Sequence, residues 1–287
     1  MKLVASAVFG VCALVVSACS PEAVVKESTP LPTPAPTRTS PPATTAEADT
    51  ETCIEDKGEV EQIIIDSEYF EPGFRFWIYT PPCYESRESA HYPVLYLIHG
   101  QTFSEDQWDR IGADEAADIL ISSGEVAPFI IVMPHDHNSL RPTVGFFDDA
   151  VLEELLPWVD ENYRTIPERE YRAIGGLSRG ASWAIHFALT NPDLFGALGG
   201  HSPPVFIEEA NKVTGWLEAI PSEMMPRLWL DIGERDLQNI MDSAVWFESV
   251  LEDLGIPHEW HLFRGNHDEE YWSNHVKEYL RWYADNW

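Results

Sequence analysis

Basic side chains are scarce in this chain of 287 residues: 18 Lys and Arg stand against 48 Asp and Glu, for a formal net charge of −30. A phosphate backbone needs clustered cations, so nucleic acid is excluded as a partner and polyanionic substrates are disfavoured. Long apolar runs are missing too. Only Leu3 to Val16 is nearly continuous, and that is too short to span a bilayer comfortably. Internal repeats are absent, which removes solenoid and propeller architectures. Cysteine is limited to Cys12, Cys19, Cys53 and Cys83. Aromatic residues are not scarce, with 11 Trp, 10 Tyr and 13 Phe, and 44% of residues are hydrophobic, enough for a substantial core.

The first residues read as an export signal. Lys2 precedes the apolar run, which ends in Val16-Ser17-Ala18-Cys19. That ending resembles the lipobox of bacterial lipoproteins, and the resemblance implies a signal peptide over residues 1–18 and a lipid-modified Cys19. Several acyl chains would then hold the protein on the extracytoplasmic face of a membrane. Residues 19–52 alternate Pro with Thr and Ala and show no apolar periodicity, as expected of an extended, semi-stiff tether. Five acidic and three basic residues fall before Cys53, so nearly all the negative charge belongs to residues 53–287. In an oxidising compartment the remaining Cys53 and Cys83 are expected to pair.

From Cys53 onward the chain alternates strand and helix patterns. Strands are predicted at 61–65, 75–79, 93–98, 129–133, 171–175, 194–199, 228–232 and 260–263. Helical spacing follows at 113–122, 150–163, 181–190, 241–254 and 269–283. Strand–helix alternation requires right-handed crossovers, hence an α/β fold with a mainly parallel sheet, helices on both faces and an antiparallel N-terminal edge.

Gly176-Leu177-Ser178-Arg179-Gly180 matches G-x-S-x-G between a predicted strand and a predicted helix, the setting of a nucleophile elbow. A serine hydroxyl needs a base, and in this architecture an acid and then a histidine follow it along the chain. Asp236 lies just beyond the strand ending at Ile232, and His267 just beyond the strand ending at Phe263. Asp231 falls inside the strand and Glu234 in the turn. His258, His261 and His275 fall before, within or after the last strand, as packing or surface residues. Backbone N–H groups of Arg179 and Gln101 are placed to form an oxyanion hole. His99, Gly100, His135 and Trp272 are expected to line the substrate pocket. His135 and His137, with Asp136 or His201, lack a third ligand at convincing metal-binding spacing, so no metal is expected. Trp77, Trp108 and Trp183 read as packing residues.

Taken together, Tyr96-Leu97-Ile98-His99-Gly100 with Trp108, Val132-Met133-Pro134, the serine elbow, Gly233 with Asp236, and Gly265 with His267 and Trp272 resemble one esterase family of α/β-hydrolases. That family includes feruloyl esterases, enterochelin esterases, S-formylglutathione hydrolases and mycolyltransferases. The resemblance covers roughly residues 60–285. It implies an α/β-hydrolase fold, a Ser178–His267–Asp236 triad, a small-molecule or carbohydrate-linked ester as substrate, and no cofactor. Three departures surround the pocket: Ala181 after the elbow, Gln101-Thr102-Phe103-Ser104 after His-Gly, and His135-Asp136-His137-Asn138 in place of an Asp-Gly turn. An acyltransferase of the same fold and a non-catalytic binding lipoprotein are the alternative expectations.

Overall fold

The computed structural model describes residues 54–287. The predicted leader, Cys19, the tether and Cys53 lie outside the described residues. Eight strands form one sheet: β1 (Glu59–Ile65), β2 (Phe74–Thr80), β3 (Val94–Ile98), β4 (Ile130–Pro134), β5 (Arg172–Leu177), β6 (Ala197–His201), β7 (Arg227–Arg235) and β8 (Glu259–Asn266). Their spatial order is β1-β2-β4-β3-β5-β6-β7-β8. The β1–β2 and β2–β4 pairs are antiparallel and every later pair is parallel. The expected antiparallel N-terminal edge is therefore present.

Parallel strands need crossovers, and helices supply them. They are α1 (Gln107–Arg110), α2 (Ala113–Ser122), α3 (Phe147–Ala150), α4 (Leu156–Asn162), α5 (Arg179–Thr190), α6 (Ala210–Ala219), α7 (Gln238–Asp253) and α8 (Glu269–Tyr283), with one π turn, Val151–Leu155, joining α3 to α4. Among the described residues no helix is long and apolar enough to cross a membrane.

Side chains alternate across a strand, so β3 serves two cores. Val94, Tyr96 and Ile98 pack with α3, α4, α5 and Phe247 of α7, while Leu95 and Leu97 pack on the other face with α2 and α8. β4 splits the same way, Ile130 and Val132 to one side and Ile131 and Met133 to the other. That double duty is why both strands are unbroken apolar runs in the sequence. Burying one such side chain contributes roughly 1.5–3 kcal/mol, so the two layers hold the central strands firmly in register. Trp108 and Trp183 are fully buried, as expected of packing residues.

Strand ends depart from the sequence reading in a consistent direction. β6 begins and ends two to three residues later than predicted, placing His201 on its last position. β7 runs on through Arg235 and β8 through Asn266, paired across an irregularity between Gly233 and Arg235. The polar residues Glu234, Arg235 and Arg264 read as loop, but both strands run on past them and pair again at Arg235 and Asn266.

Candidate active site

The carboxyl ends of β5, β6, β7 and β8 converge on one spot. Ser178 follows β5 directly, with φ 52° and ψ −118°, a strained backbone for a residue that carries a Cβ. Glycine is required on both sides of it. A Cβ on Gly176 would come 2.2 Å from the carbonyl carbon of Gly180, and one on Gly180 would come 2.1 Å from the Ile98 carbonyl oxygen. The turn can close this tightly only without those side chains. Ser178 is thereby lifted to the start of α5, where unpaired N–H groups gather.

His267, just past β8, brings Nε2 to 2.9 Å from Ser178 Oγ. Its Nδ1 lies 2.8 Å from Asp236 Oδ1. Asp236 follows β7, and its carboxylate also accepts the Leu237 N–H at 2.6 Å and the Ser202 hydroxyl at 2.7 Å. The side chain of Asp236 is wholly covered and that of His267 is 15% exposed. Ser178, His267 and Asp236 thus form a continuous hydrogen-bonded chain, with the outer end opening into a cleft. Such a chain can take a proton from the serine and hold the resulting imidazolium.

Asp231, the alternative acid in the sequence, is elsewhere. It is fully buried and accepts from His201 Nδ1 (2.6 Å), Trp229 Nε1 (3.0 Å), Tyr271 Oη (2.6 Å) and Tyr279 Oη (2.8 Å). Burial pushes its carboxyl upward, but His201 and these donors outweigh that and hold it below the ordinary carboxylate range. It is a structural centre beneath the site. Tyr279 is driven far upward by burial and by Asp231, so it stays a neutral donor. His261 stacks between Trp229 and Phe263, and His275 stacks on Phe263, in agreement with packing roles.

Two clefts meet at Ser178. One, of about 610 Å³, is lined by Gly100, Gln101, Phe103, His267, Glu269 and Trp272 among others. The second, of about 330 Å³, runs past Arg179, Leu140, Val205, Phe206 and Ile207. Gln101, Asn239 and Ile240 border both. Gly100 and Trp272 are therefore at the cleft, although Trp272 is only 2% exposed and packs at right angles to the His267 ring.

His99 and His135 require correction. Neither lines either of these two clefts; both are buried behind the site. The His99 ring bridges backbones, with Nδ1 2.8 Å from the Gly100 carbonyl and Nε2 accepting the Asp136 N–H at 3.1 Å. His135 faces Glu105 at 3.2 Å and stacks with His99. The physical reason is the Arg179 side chain. It turns inward from the elbow to an ion pair with the buried Asp136, which draws the loop after β4 under the site instead of to its rim. His137 stacks flat on Phe70 at 3.9 Å. Donor atoms of His99, His135 and Asp136 lie within 4.8 Å of one another. His99 is already engaged by the Gly100 carbonyl and the Asp136 N–H, and Asp136 by the Asn138 N–H and Arg179, so these two do not suit a cation; His135 Nδ1 faces Glu105 without a hydrogen bond.

Sequence reasoning missed Ser202, Asn239 and Ile240. Each follows a parallel strand or its first turn on the carboxyl side of the sheet, and that position was the available signal.

Three comparisons bear on this site. The family model described as "Putative esterase" matches residues 67–283. A xylanase/feruloyl esterase of Xylanibacter ruminicola is 33% identical over 133 residues, covering 44% of this chain and 18% of the relative. An esterase of Mycobacterium tuberculosis is 27% identical over 233 residues, covering 61% of this chain and 48% of the relative. The chain spans less than half the length of either relative. Among solved structures, a ferulic acid esterase superposes with TM-score 0.70 at 23% identity, over 80% of this chain and 98% of that one. An S-formylglutathione hydrolase of Staphylococcus aureus superposes with TM-score 0.62 at 17% identity, over 79% and 98%. These likenesses establish the α/β-hydrolase fold.

Proposed function

The chain belongs to the esterase family matched over residues 67–283; from that premise we propose that it is a carboxylic-ester hydrolase working through a Ser178–His267–Asp236 triad and an acyl-enzyme. The observation that carries this reading is the unbroken hydrogen-bonded chain from Ser178 Oγ through both ring nitrogens of His267 to Asp236. Ser178 Oγ attacks the ester carbonyl carbon while His267 Nε2 takes its proton. The former carbonyl oxygen becomes an oxyanion, held by the N–H groups of Arg179 and Gln101. Asp236 stabilises the imidazolium, which then returns the proton to the departing alkoxide as the C–O bond breaks. A water molecule, deprotonated by His267, releases the acid and restores Ser178.

The imidazolium must reach the leaving oxygen, so the alcohol portion belongs in the cleft that His267 lines. That cleft offers amides, a hydroxyl and carboxylates from Gln101, Thr102, Asn239, Asp268 and Glu269 beside the Phe103 ring, which suits a polyol or sugar. The acyl portion then lies past Val205, Phe206, Ile207 and Leu140, which suits an aryl or medium aliphatic acid. Feruloyl and related acyl esters of carbohydrates fit both halves, and the named activities of two relatives in the comparisons agree in kind. The proposal extends to an exported, lipid-anchored enzyme, supported by Val16-Ser17-Ala18-Cys19, and to a Cys53–Cys83 disulfide.

A panel of chromogenic esters varying independently in acyl and alcohol groups tests the assignment. Aryl acyl groups on sugar alcohols should give the highest kcat/KM. Transfer of the acyl group to added sugar in preference to water would reassign the protein as an acyltransferase. A protein inert to every ester and to a fluorophosphonate probe would favour the binding-lipoprotein reading.

A further inference from the structure

We propose that Ser202 is a positioning residue for Asp236, fixing the acid's carboxylate from behind through a route separate from His267. The inference rests on the triad reading above. Ser202 is the first residue after β6 and is completely buried, so it cannot touch an ester. It acts only through its neighbours.

Those neighbours are specific. Asp236 uses Oδ1 for His267 and for the Leu237 N–H. Its other oxygen, Oδ2, accepts the Ser202 hydroxyl at 2.7 Å. The Ser202 oxygen in turn faces Trp272 Nε1 at 3.3 Å. An indole N–H only donates, so the Ser202 oxygen accepts there and its own hydrogen is left for the carboxylate. Trp272 also sets its ring edge-on to His267, with centroids 5.1 Å apart at 80°. Acid and base are thus braced by one tryptophan, directly for the imidazole and through Ser202 for the carboxylate. A carboxylate held at one oxygen alone can rotate about its last bond; held at both, it keeps Oδ1 aimed at Nδ1.

The backbone points to the same role. Ser202 has φ +53°, in the left-handed region that side chains other than Gly, Asn and Asp seldom adopt. Its N–H donates to the Asp231 carbonyl at 2.7 Å, which pins the turn to β7. Glycine would relieve this conformation, yet the position holds a hydroxyl.

That conflict provides the test. Ser202→Gly removes the hydroxyl while suiting the backbone, so the melting temperature should stay within a few degrees of wild type. kcat on a chromogenic ester should fall about 10- to 100-fold with KM changed less than about twofold. The downfield proton resonance of the His267 Nδ1–H to Asp236 bond should shift or broaden. Trp272→Phe should lower kcat less, and combining it with Ser202→Gly should add little, because both act on one hydroxyl. Rates are normalised to sites titrated with fluorophosphonate, and Ser202→Ala is read by the same criteria if the glycine variant does not fold. kcat within twofold of wild type, or a loss confined to KM, would overturn the role of Ser202 while leaving the triad standing. A wild-type protein without activity or labelling would instead remove the triad reading itself.

Discussion

Acid should weaken this fold at one identifiable loop. His99, His135 and His137 are packed against one another behind the active site, with ring centroids 5.3 and 4.9 Å apart. Burial lowers the affinity of all three for a proton; repulsion from His99 adds to it at His135, and repulsion from His135 and Arg75 adds to it at His137. His137 is pushed down to about 4 by burial first, then by His135 and Arg75. Glu105 and Asp136 lie close by, but each is already held by an arginine, Arg75 and Arg179 respectively. In the unfolded chain His137 titrates near 6.5, so its contribution is present in full above that pH and is lost as pH falls from 6.5 towards 4. At pH 5 the difference amounts to at most about 2 kcal/mol, and to about 1–2 kcal/mol once the partly open ring is allowed for. The general acidity of the protein works in the opposite sense, since proton uptake relieves repulsion within a charge of −30. The measurement is therefore a difference. His137→Asn suits the backbone, because position 137 has φ +49° and asparagine tolerates the left-handed region. Urea unfolding of both proteins should show wild type more stable at pH 7.5, through the Phe70 stack, with that advantage shrinking by about 1–2 kcal/mol at pH 5. An advantage constant to within about 0.3 kcal/mol over that range would refute the reasoning.

Ser178→Ala should abolish ester turnover and fluorophosphonate labelling while leaving the circular dichroism unchanged. Asp236→Asn should lower kcat by roughly 10³- to 10⁴-fold with the fold intact. Asp231→Asn should do the reverse, destabilising by about 3–5 kcal/mol by leaving four buried donors without their carboxylate; equal activity loss in both would misassign the acid. The Cys19→Ser variant should lose membrane partitioning and the lipid mass, whereas the domain from about residue 53 should remain active without the tether. Thiol counting on denatured, non-reduced domain should find no free cysteine.

The order of strands and helices was legible because β3 and β4 are apolar on both faces and the elbow needs its glycines. Ser178, Asp236 and His267 could be located because each falls immediately after a parallel strand. Their neighbours were not legible. The inward turn of Arg179 depends on Asp136, 43 residues away, and no local pattern records that distance. For the same reason His99 and His135, polar residues near a predicted strand end, read as pocket residues when they are in fact bridging backbones underneath it. Ser202 was hidden by a misplaced boundary: a β6 ending at Gly199 leaves His201 and Ser202 as unremarkable loop.

α8 follows every strand among the described residues, and its side chains reach under the whole site. Asp268 caps its first turn, Trp272 backs His267, Tyr271 and Tyr279 donate to Asp231, and the Tyr283 hydroxyl bonds His201. That hydroxyl also occupies the space where Cβ atoms on Gly175 and Gly199 would sit, so it fills the floor beneath the elbow strand and its neighbour. A chain made from the amino end therefore carries its serine for some ninety residues of synthesis before the histidine exists, and for longer before the floor beneath them is laid. A product cut off before Glu269 would display the elbow sequence yet lack that floor.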